Sequence, residues 1–357
     1  MAQREFPCKT CGARLSFEPG TVDLVCSHCG QAQHIPQSED EIEELDFAST
    51  LAGLTAEAPV METQAVRCSG CGAETQFPDG KIAGDCAFCG APIVVQQAAV
   101  TRAIKPQGLL PFKITRKQVQ ESYIKWLNGL WFAPNNLRKR AESEKVHGIY
   151  VPYWTYDSST ESFYCGERGD DYYVTETYVL NGKTQTRTVR KTRWTFVSGV
   201  VWRNFDDVLV IATNSLPTRL AEALEPWDLP LTTGYSDEFL AGFEAQTYNI
   251  DLKQGFSIAQ QKMDAVIRQD IRRDIGGDHQ RIHSVKTAHR NVTYKHLLLP
   301  IWLSSYRYNE KIYRFLVNGR TGEVQGQRPW SWWKITLAVL GGLSVVAGIA
   351  YIVAQQQ

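Results

Sequence analysis

The 357-residue sequence predicts an α+β protein with two small N-terminal zinc ribbons and one C-terminal transmembrane helix. Three observations lead to this prediction. Four Cys-x-x-Cys pairs lie in the first hundred residues, a long uncharged apolar run lies near the C-terminus, and strand-like stretches dominate the region between them. Equal numbers of basic and acidic residues, 38 each, and a hydrophobic fraction of 43% exclude a wholly disordered chain and a polytopic membrane protein.

Eight of the nine cysteines form two sets with the same C-x2-C-x14-C-x2-C spacing, and the second set repeats the first after 60 residues. Two residues between paired cysteines let one tight turn direct both thiolates at a metal ion. Four thiolates suit Zn²⁺ and leave no open position for catalysis, so each ion is expected to be structural. The predicted ligands of the two zinc ions are Cys8, Cys11, Cys26 and Cys29, and Cys68, Cys71, Cys86 and Cys89.

Two alternatives compete with these four-cysteine sites. Disulfides would require an oxidising compartment, and residues 1–37 contain no apolar stretch typical of a signal peptide. His28 and His34 lie in or beside the first ribbon, but four cysteines already have the right spacing. The ninth cysteine, Cys165, stands among aromatic residues and is expected to be a buried apolar thiol rather than a nucleophile.

Composition divides the chain into five segments. Residues 1–100 contain 5 basic and 14 acidic residues, a balance of 5 − 14 = −9, and residues 101–357 contain 33 and 24, a balance of +9. The acidic stretch between the ribbons places Ile42, Leu45, Leu51 and Leu54 loosely on one helical face. The predicted segments are zinc ribbon 1 (1–36), an acidic linker (37–64), zinc ribbon 2 (65–100), an α+β domain (101–329) and a membrane anchor (330–357).

The middle segment predicts two helices and a mainly antiparallel sheet. Thr115 and Gln118 form a capping-box pattern before a run of helical periodicity. A second periodic run extends from about Leu252 to Ile275 and stops at Gly276-Gly277. Asn-Gly pairs at 181–182 and 318–319 separate strand-like stretches, as expected for hairpins.

The stretch from Ile335 to Ala354 contains twenty residues and no charge, which is the length that a helix needs to cross a bilayer. Three tryptophans precede it, and Arg320, Arg328 and Lys334 lie on its N-terminal side. The positive-inside rule therefore places the bulk of the chain in the cytoplasm. A buried core helix is the alternative. Small-xxx-small pairs within the stretch are compatible with a contact between two such helices, and therefore with a homo-oligomer.

The catalytic patterns that the sequence suggests are incomplete. Gly182-Lys183-Thr184 lacks the earlier glycine of a P-loop, and no other hydrolase or dinucleotide motif is present. Adjacent aspartates, such as Asp206 and Asp207, point to opposite faces of a strand and are not expected to share a site. Four histidines between 279 and 296 are expected to be exposed or hydrogen-bonded rather than metal ligands.

One basic strand is the strongest binding signal in the middle segment. Arg187, Lys191 and Arg193 share one face of a strand. That face could meet anionic lipid headgroups, the phosphates of a nucleic acid or an acidic protein surface. A plain solvated sheet face is the alternative.

The sequence resembles a bacterial family of membrane-anchored, tandem TFIIB-type zinc-ribbon proteins, often labelled as relatives of the primosomal replication helicase. The resemblance covers most of the chain. It rests on the paired ribbons, the terminal apolar run and six stretches: VPYWTYD (151–157), GERGDDYYV (166–174), FDDVLV (205–210), DIGGD (274–278), KHLLLPIW (295–302) and YRFLVNGRTGEVQG (313–326).

The resemblance implies a place in the bacterial inner membrane and an association with phage-shock or SPFH-type membrane-stress systems. We therefore expect a non-enzymatic scaffold that recruits a cytoplasmic protein to the inner face of the membrane. Nucleic-acid binding through the ribbons is the alternative, although counterion release needs basic residues and residues 1–100 contain five. An enzyme in the middle domain is a further alternative, and a helicase is excluded by the missing P-loop.

Overall fold

The computed structural model describes residues 6–37, 42–53, 60–76, 83–94, 99–134, 146–180, 183–308 and 311–355. Strands are the commonest element among these residues, and helices accompany them, as the predicted α+β class requires. The helices are α1 (Phe47–Leu51), α2 (Arg116–Asn128), α3 (Thr218–Glu222), α4 (Leu252–Ile275) and α5 (Trp332–Gln355). The strands are β1 (Leu15–Phe17), β2 (Asp23–Cys26), β3 (Ala32–His34), β4 (Leu45–Asp46), β5 (Val60–Arg67), β6 (Glu74–Gln76), β7 (Ala83–Asp85), β8 (Pro92–Val94), β9 (Ala99–Ile104), β10 (Gly108–Leu109), β11 (His147–Leu180), β12 (Lys183–Ile211), β13 (Thr233–Gly234), β14 (Glu244–Gln246), β15 (His279–Tyr308), β16 (Lys311–Asn318) and β17 (Val324–Gly326).

Three very long strands form the centre of the fold. β11 lies between β12 and β15 and is antiparallel to both, so that Phe163 faces Val200 on one side and Lys286 on the other. At about 3.3 Å per residue, the 34 residues of β11 have a contour length of roughly 110 Å. The expected hairpin around residues 181–182 is therefore present with much longer strands, and its two turn residues lie outside the described part. Only short pairings, of β10 with β15 and β14 with β11, are parallel among the described strands.

The two ribbons pack on opposite faces of this sheet. Phe17 of the first ribbon contacts Phe239 and Phe243, in the same cluster as Tyr150 and Trp302. The second ribbon buries its own apolar residues in another cluster, with Ile149 and Ile301. Because successive residues of a strand point to opposite faces, Ile149 and Tyr150 mark the two sides. Both ribbons are therefore integrated into the domain.

Helix α4 covers the long strands on the face that also receives ribbon 1. Its buried residues recur at helical spacing and end at Ile275, as the sequence predicts. Asp251 and Gln254 form a capping box at its start, and Gly276, with φ of 65°, follows its last residue. Ribbon 2 covers the opposite face of the sheet near Ile149, and farther along the long strands that face is exposed at Phe163, Phe196 and Trp202.

Helix α2 also begins where the sequence predicts, with the Thr115–Gln118 capping box present. Its Tyr123 ring stacks on Phe315 of β16 at a centroid distance of 3.7 Å. The linker contains a short helix, as predicted, but Leu45 lies in β4 and Leu54 lies outside the described residues. Leu51 is exposed, and Phe47 packs on Tyr156 and Phe256 instead.

Candidate metal centres, acidic cluster and membrane helix

Each ribbon presents its cysteines on two tight turns. In the first ribbon, Gly12 N donates to Cys8 O and Gly30 N donates to Cys26 O, both at 2.9 Å. Both glycines have φ of 74°, a left-handed conformation that only glycine adopts at little cost. Gly72 and Gly90 repeat these turns in the second ribbon, with φ of 75° and 71°.

The sulfur atoms in each ribbon have the spacing of a tetrahedral metal centre. The Cys8–Cys29 and Cys11–Cys26 Sγ–Sγ distances are both 3.6 Å, and those of Cys68–Cys89 and Cys71–Cys86 are 3.6 and 3.7 Å. Zn–S bonds of about 2.3 Å place the corners of a tetrahedron about 3.8 Å apart. A disulfide would need about 2.05 Å. The eight predicted cysteines therefore form two groups of four thiols that fit zinc.

The thiols within each group have unequal pKa values: the hydrogen bond with Cys11 raises the pKa of Cys29, and the one with Cys71 raises the pKa of Cys86. The backbone N–H groups of Thr10 and Cys11 lower the pKa of Cys8 to about 6, and those of Cys29 and His28 lower the pKa of Cys26. In the second ribbon, the hydrogen bond from the Cys86 thiol lowers the pKa of Cys71 to about 5. A bound Zn²⁺ would supply a closed structural cross-link here, because all four positions are protein thiolates.

The two centres differ in exposure. Cys11 and Cys29 are exposed, whereas Cys89 of the second ribbon is buried and Cys71 is half-buried. His28 belongs to neither group of four cysteines, and His34 Nδ1 lies 3.0 Å from Asp23 Oδ1 at the surface. The position equivalent to His28 in the second ribbon is Phe88, which is fully buried. Arg314 Nε donates to Phe88 O at 2.6 Å, so this ribbon is fixed to β16 through its turn.

A second polar cluster, absent from the sequence predictions, lies where the linker crosses the sheet. Lys295 Nζ is 2.8 Å from both Glu44 Oε1 and Asp207 Oδ1. Asp157 Oδ1 accepts a hydrogen bond from Asp207 N, and its Oδ2 accepts from Thr293 Oγ1. Oxygens of Glu44, Asp157 and Asp206 lie within 4.8 Å of one another. We call this set the acidic cluster: Glu44, Asp157, Asp206, Asp207, Thr293 and Lys295.

The carboxyl groups of the acidic cluster lie in different electrostatic environments, so their pKa values shift in opposite directions. The hydrogen bond with Asp157 and the nearby Lys295 lower the pKa of Glu44 to about 2. Burial and the neighbouring Glu44 raise the pKa of Asp157 to about 7. The pair therefore holds one proton, on Asp157, at pH values below about 7. Three acidic groups are a donor set that hard cations accept, but the Lys295 ammonium already supplies positive charge.

Asp206 and Asp207 enter the cluster through different partners: Asp206 groups with Glu44 and Asp157, and Asp207 pairs with Lys295. Asp207 has φ of 51°, and the β11–β12 register shifts between Tyr156 and Ser158, so the simple alternation of a strand fails here. Sequence reasoning missed the cluster because its members come from four separate segments. The available signal was that three of the stretches behind the family resemblance, VPYWTYD, FDDVLV and KHLLLPIW, each contribute a residue to it.

The histidines and the basic strand have polar partners within the domain. His279 lies 3.2 Å from Asp171, and His289 hydrogen-bonds Ser158; burial lowers the pKa of His296 to about 4. None of the four belongs to a metal-sized group among the described residues. Arg187 and Lys191 both pair with Glu176, at 3.1 and 2.8 Å, while the backbone pairs Arg193 with Asp170. Most of the charge on the predicted basic face thus has a counter-charge beside it.

Cys165 was expected to be buried, and that expectation is wrong. Its side chain is exposed, within 3.6 Å of Ser284 Oγ. It lies on the face of the long sheet that α4 does not cover, which we call the outer face. Phe163, Phe196 and Trp202 are also exposed on this face, at 52%, 79% and 70%. Of the two aromatic neighbours that suggested burial, Phe163 is exposed on this face, whereas Tyr164 is buried on the opposite one.

The C-terminal helix α5 has the length and composition of a membrane span. Its 24 residues rise about 36 Å at 1.5 Å per residue, and none of them is buried. Trp332 and Trp333 are exposed at its start. A core helix of this composition would be covered by other elements, so the alternative of a buried helix is not supported. The helix is long and apolar enough to act as a single-pass anchor.

Comparison with known proteins gives one relative and no function. No family model matches the chain, and no solved structure matches it. The chain is 25% identical over 339 residues to the uncharacterized protein YdjG of Bacillus subtilis (strain 168). That alignment covers 92% of this chain and 91% of the relative, so the similarity extends over most of both chains.

Proposed function

We propose that this protein is a non-enzymatic, membrane-anchored zinc-ribbon scaffold that recruits a cytoplasmic protein to the inner face of the bacterial cytoplasmic membrane. The terminal helix supplies the anchor, and two closed zinc centres stabilise the ribbons without offering a reaction site. The partner would belong to a membrane-stress system of the phage-shock or SPFH type, as the family resemblance implies.

The observation that carries the proposal is the divergence of the two duplicated ribbons. Ala87 and Phe88 in the second ribbon are buried against the domain, while the equivalent Ser27 and His28 are exposed. This turn of the second ribbon is thus buried in the domain, whereas the equivalent tip of the first ribbon is exposed to solvent. We assign partner binding to this tip, which consists of the exposed residues Lys9, Thr10, Cys11, Ser27, His28 and Cys29.

The test is affinity capture from membranes with the full-length protein and mass spectrometry. The variant Lys9→Glu/His28→Glu changes the tip without touching a zinc ligand, so it should retain two zinc ions and lose the captured partner. The matched control is Ser69→Glu, at the position of the second ribbon equivalent to Lys9, which is also exposed. It should leave capture unchanged.

The captured protein should then bind vesicles that carry the purified protein and should not bind protein-free vesicles. Capture that survives the tip variant but fails after Trp202→Ser would move the docking site to the outer face. Failure of the wild-type protein to float with vesicles would reject the scaffold itself. An enzymatic role would be supported instead by an activity that Asp157→Asn abolishes.

A further inference from the structure

The loop that follows α2 contains an exposed tryptophan next to the start of the membrane helix. Trp131 is 81% exposed, more than any other tryptophan in the described residues. Its neighbours in the loop do not share this exposure, because Ala133 is buried in the core and Phe132 is half-buried. A large aromatic ring in water is unfavourable unless another surface covers it.

The loop is bound to the first turn of α5. Ser331 N donates to Phe132 O at 2.8 Å, and Lys334 Nζ donates to Trp131 O and Ala133 O at 3.2 and 2.8 Å. The loop backbone is therefore within hydrogen-bond distance of residues that enter the bilayer. Each headgroup layer is about 5–8 Å thick, so a loop held this close lies within that layer when the helix is inserted.

The chemistry around the loop suits a membrane interface. Trp330, Trp332 and Trp333 are 53%, 79% and 72% exposed, and tryptophan is the residue that membrane interfaces favour most consistently. Arg328 stacks on Trp330 at 4.4 Å from its ring centroid. Lys334 keeps its ammonium at the loop carbonyls instead of the hydrocarbon, as long basic side chains do near the ends of a span.

We propose that the Trp131 loop (residues 129–134) is a second membrane-contact element that lies in the phospholipid headgroup layer beside α5. The domain is then held against the bilayer by two chain segments that are far apart in sequence. It does not hang from a single helix, so one orientation of the sheet relative to the membrane is favoured. This inference rests on the membrane anchorage in the proposed function and is independent of partner recruitment.

The experiment uses the full chain reconstituted in phosphatidylcholine–phosphatidylglycerol vesicles. Part of the phosphatidylcholine is brominated near the top of its acyl chains, where bromine quenches tryptophan at the interface. Trp131→Phe gives the emission of Trp131 by difference from the wild type. The matched control is Trp202→Phe, on the outer face. Trp202 pairs with Glu161, which lies 14 residues, or about 46 Å along the strand, from His147. His147 pairs with Leu303, and Leu303 pairs with β16, on the side of the sheet from which the chain continues to α5.

The proposal predicts that brominated lipid removes at least half of the Trp131 emission and leaves that of Trp202 unchanged. Unquenched Trp131 emission in vesicles that carry the protein would overturn it and would assign the ring to a protein partner. Equal quenching of both residues would also overturn it, because the whole domain would then contact lipid without preference for the loop. If the protein fails to float with the vesicles, the anchorage itself is rejected.

Discussion

His28 and Phe88 occupy equivalent positions in the two ribbons, but His28 is exposed to solvent and Phe88 is buried. A buried phenylalanine contributes about 1.5–3 kcal/mol through removal of apolar area from water, and an exposed histidine contributes none of this. One residue type therefore decides whether a ribbon turn packs on the domain or remains accessible. The cysteines alone, which are identical in spacing, cannot reveal this difference.

Asp157 should make stability depend on pH. Its folded-state pKa is about 7, and the unfolded value is about 4, so the folded chain binds the extra proton between these values. The contribution of Asp157 to the free energy of unfolding therefore falls as pH rises through this range. Glu44 has a lowered pKa, so its contribution to the free energy of unfolding has the opposite pH dependence and is lost only as pH falls below about 4.5.

We predict that Asp157→Asn, which mimics the protonated acid, gains stability relative to the wild type between about pH 5 and about pH 8. Thermal unfolding of both proteins in detergent at several pH values measures this difference. The charged groups that face Asp157 are Glu44 on the linker, Asp206 and Asp207 on β12, and Lys295 on β15. Asp264→Asn, at a half-exposed position on α4 away from the acidic cluster, is the control. Parallel pH profiles for wild type and Asp157→Asn would contradict the assignment.

Helix α4 depends on a glycine at its contact with the sheet. Tyr156 Oη donates to Leu252 O at 2.7 Å, and Trp154 Nε1 donates to Ile250 O at 3.0 Å, so both rings hold the start of the helix. A Cβ at Gly255 would collide with Tyr156 Oη and approach Trp154 Cδ1 to 2.8 Å. The close approach of helix and sheet thus requires the missing side chain.

We predict that Gly255→Ala destabilises the protein despite the better helix propensity of alanine. The propensity gain is about 1 kcal/mol, and overpacking of a filled core costs about 1–3 kcal/mol. The control is Gln261→Ala on the exposed side of α4, where the change should stay within about 0.5 kcal/mol. Denaturant unfolding monitored by tryptophan fluorescence compares the two. A Gly255→Ala protein as stable as the control would mean that the helix can move away from the sheet.

Local sequence signals predicted the helices and the cysteine turns well. The capping box at Thr115 and the glycine after Ile275 act within a few residues, so their effect can be read from the chain. The acidic cluster could not be predicted in this way. It requires the register of β11 against β12, the left-handed Asp207 and the return of the linker to the sheet, all of which are set by tertiary contacts.

At the scale of the whole molecule, the ribbons are part of the domain and are attached at separate places. Phe17 N donates to Ala241 O and Gly20 N donates to Phe112 O, both at 2.9 Å, which fixes ribbon 1 on one side of the sheet. Ribbon 2 extends the sheet through β6, paired with β14, and contacts β16 through Arg314. Zinc in each ribbon should therefore stabilise a different part of the domain.

We predict that Cys11→Ser and Cys71→Ser each reduce the zinc content from two ions to one and affect different segments. Loss of the first ion should speed amide hydrogen exchange in Asp237–Leu240, because the Phe17 contact with Phe239 is lost. Loss of the second should speed exchange in β16 and leave Asp237–Leu240 protected. Structural zinc contributes several kcal/mol to folding of a small ribbon, so the exchange rates should rise by more than about tenfold.

Atomic absorption and hydrogen-exchange mass spectrometry on the detergent-solubilised full chain provide both readouts. The exposed residue Cys165 offers the control Cys165→Ser, which should retain two zinc ions and wild-type exchange. Faster exchange in both segments after either ligand substitution would mean that the ribbons and the domain unfold as one unit. The separate attachment inferred from the two packing clusters would then be wrong, because each cluster could not survive loss of the opposite ribbon.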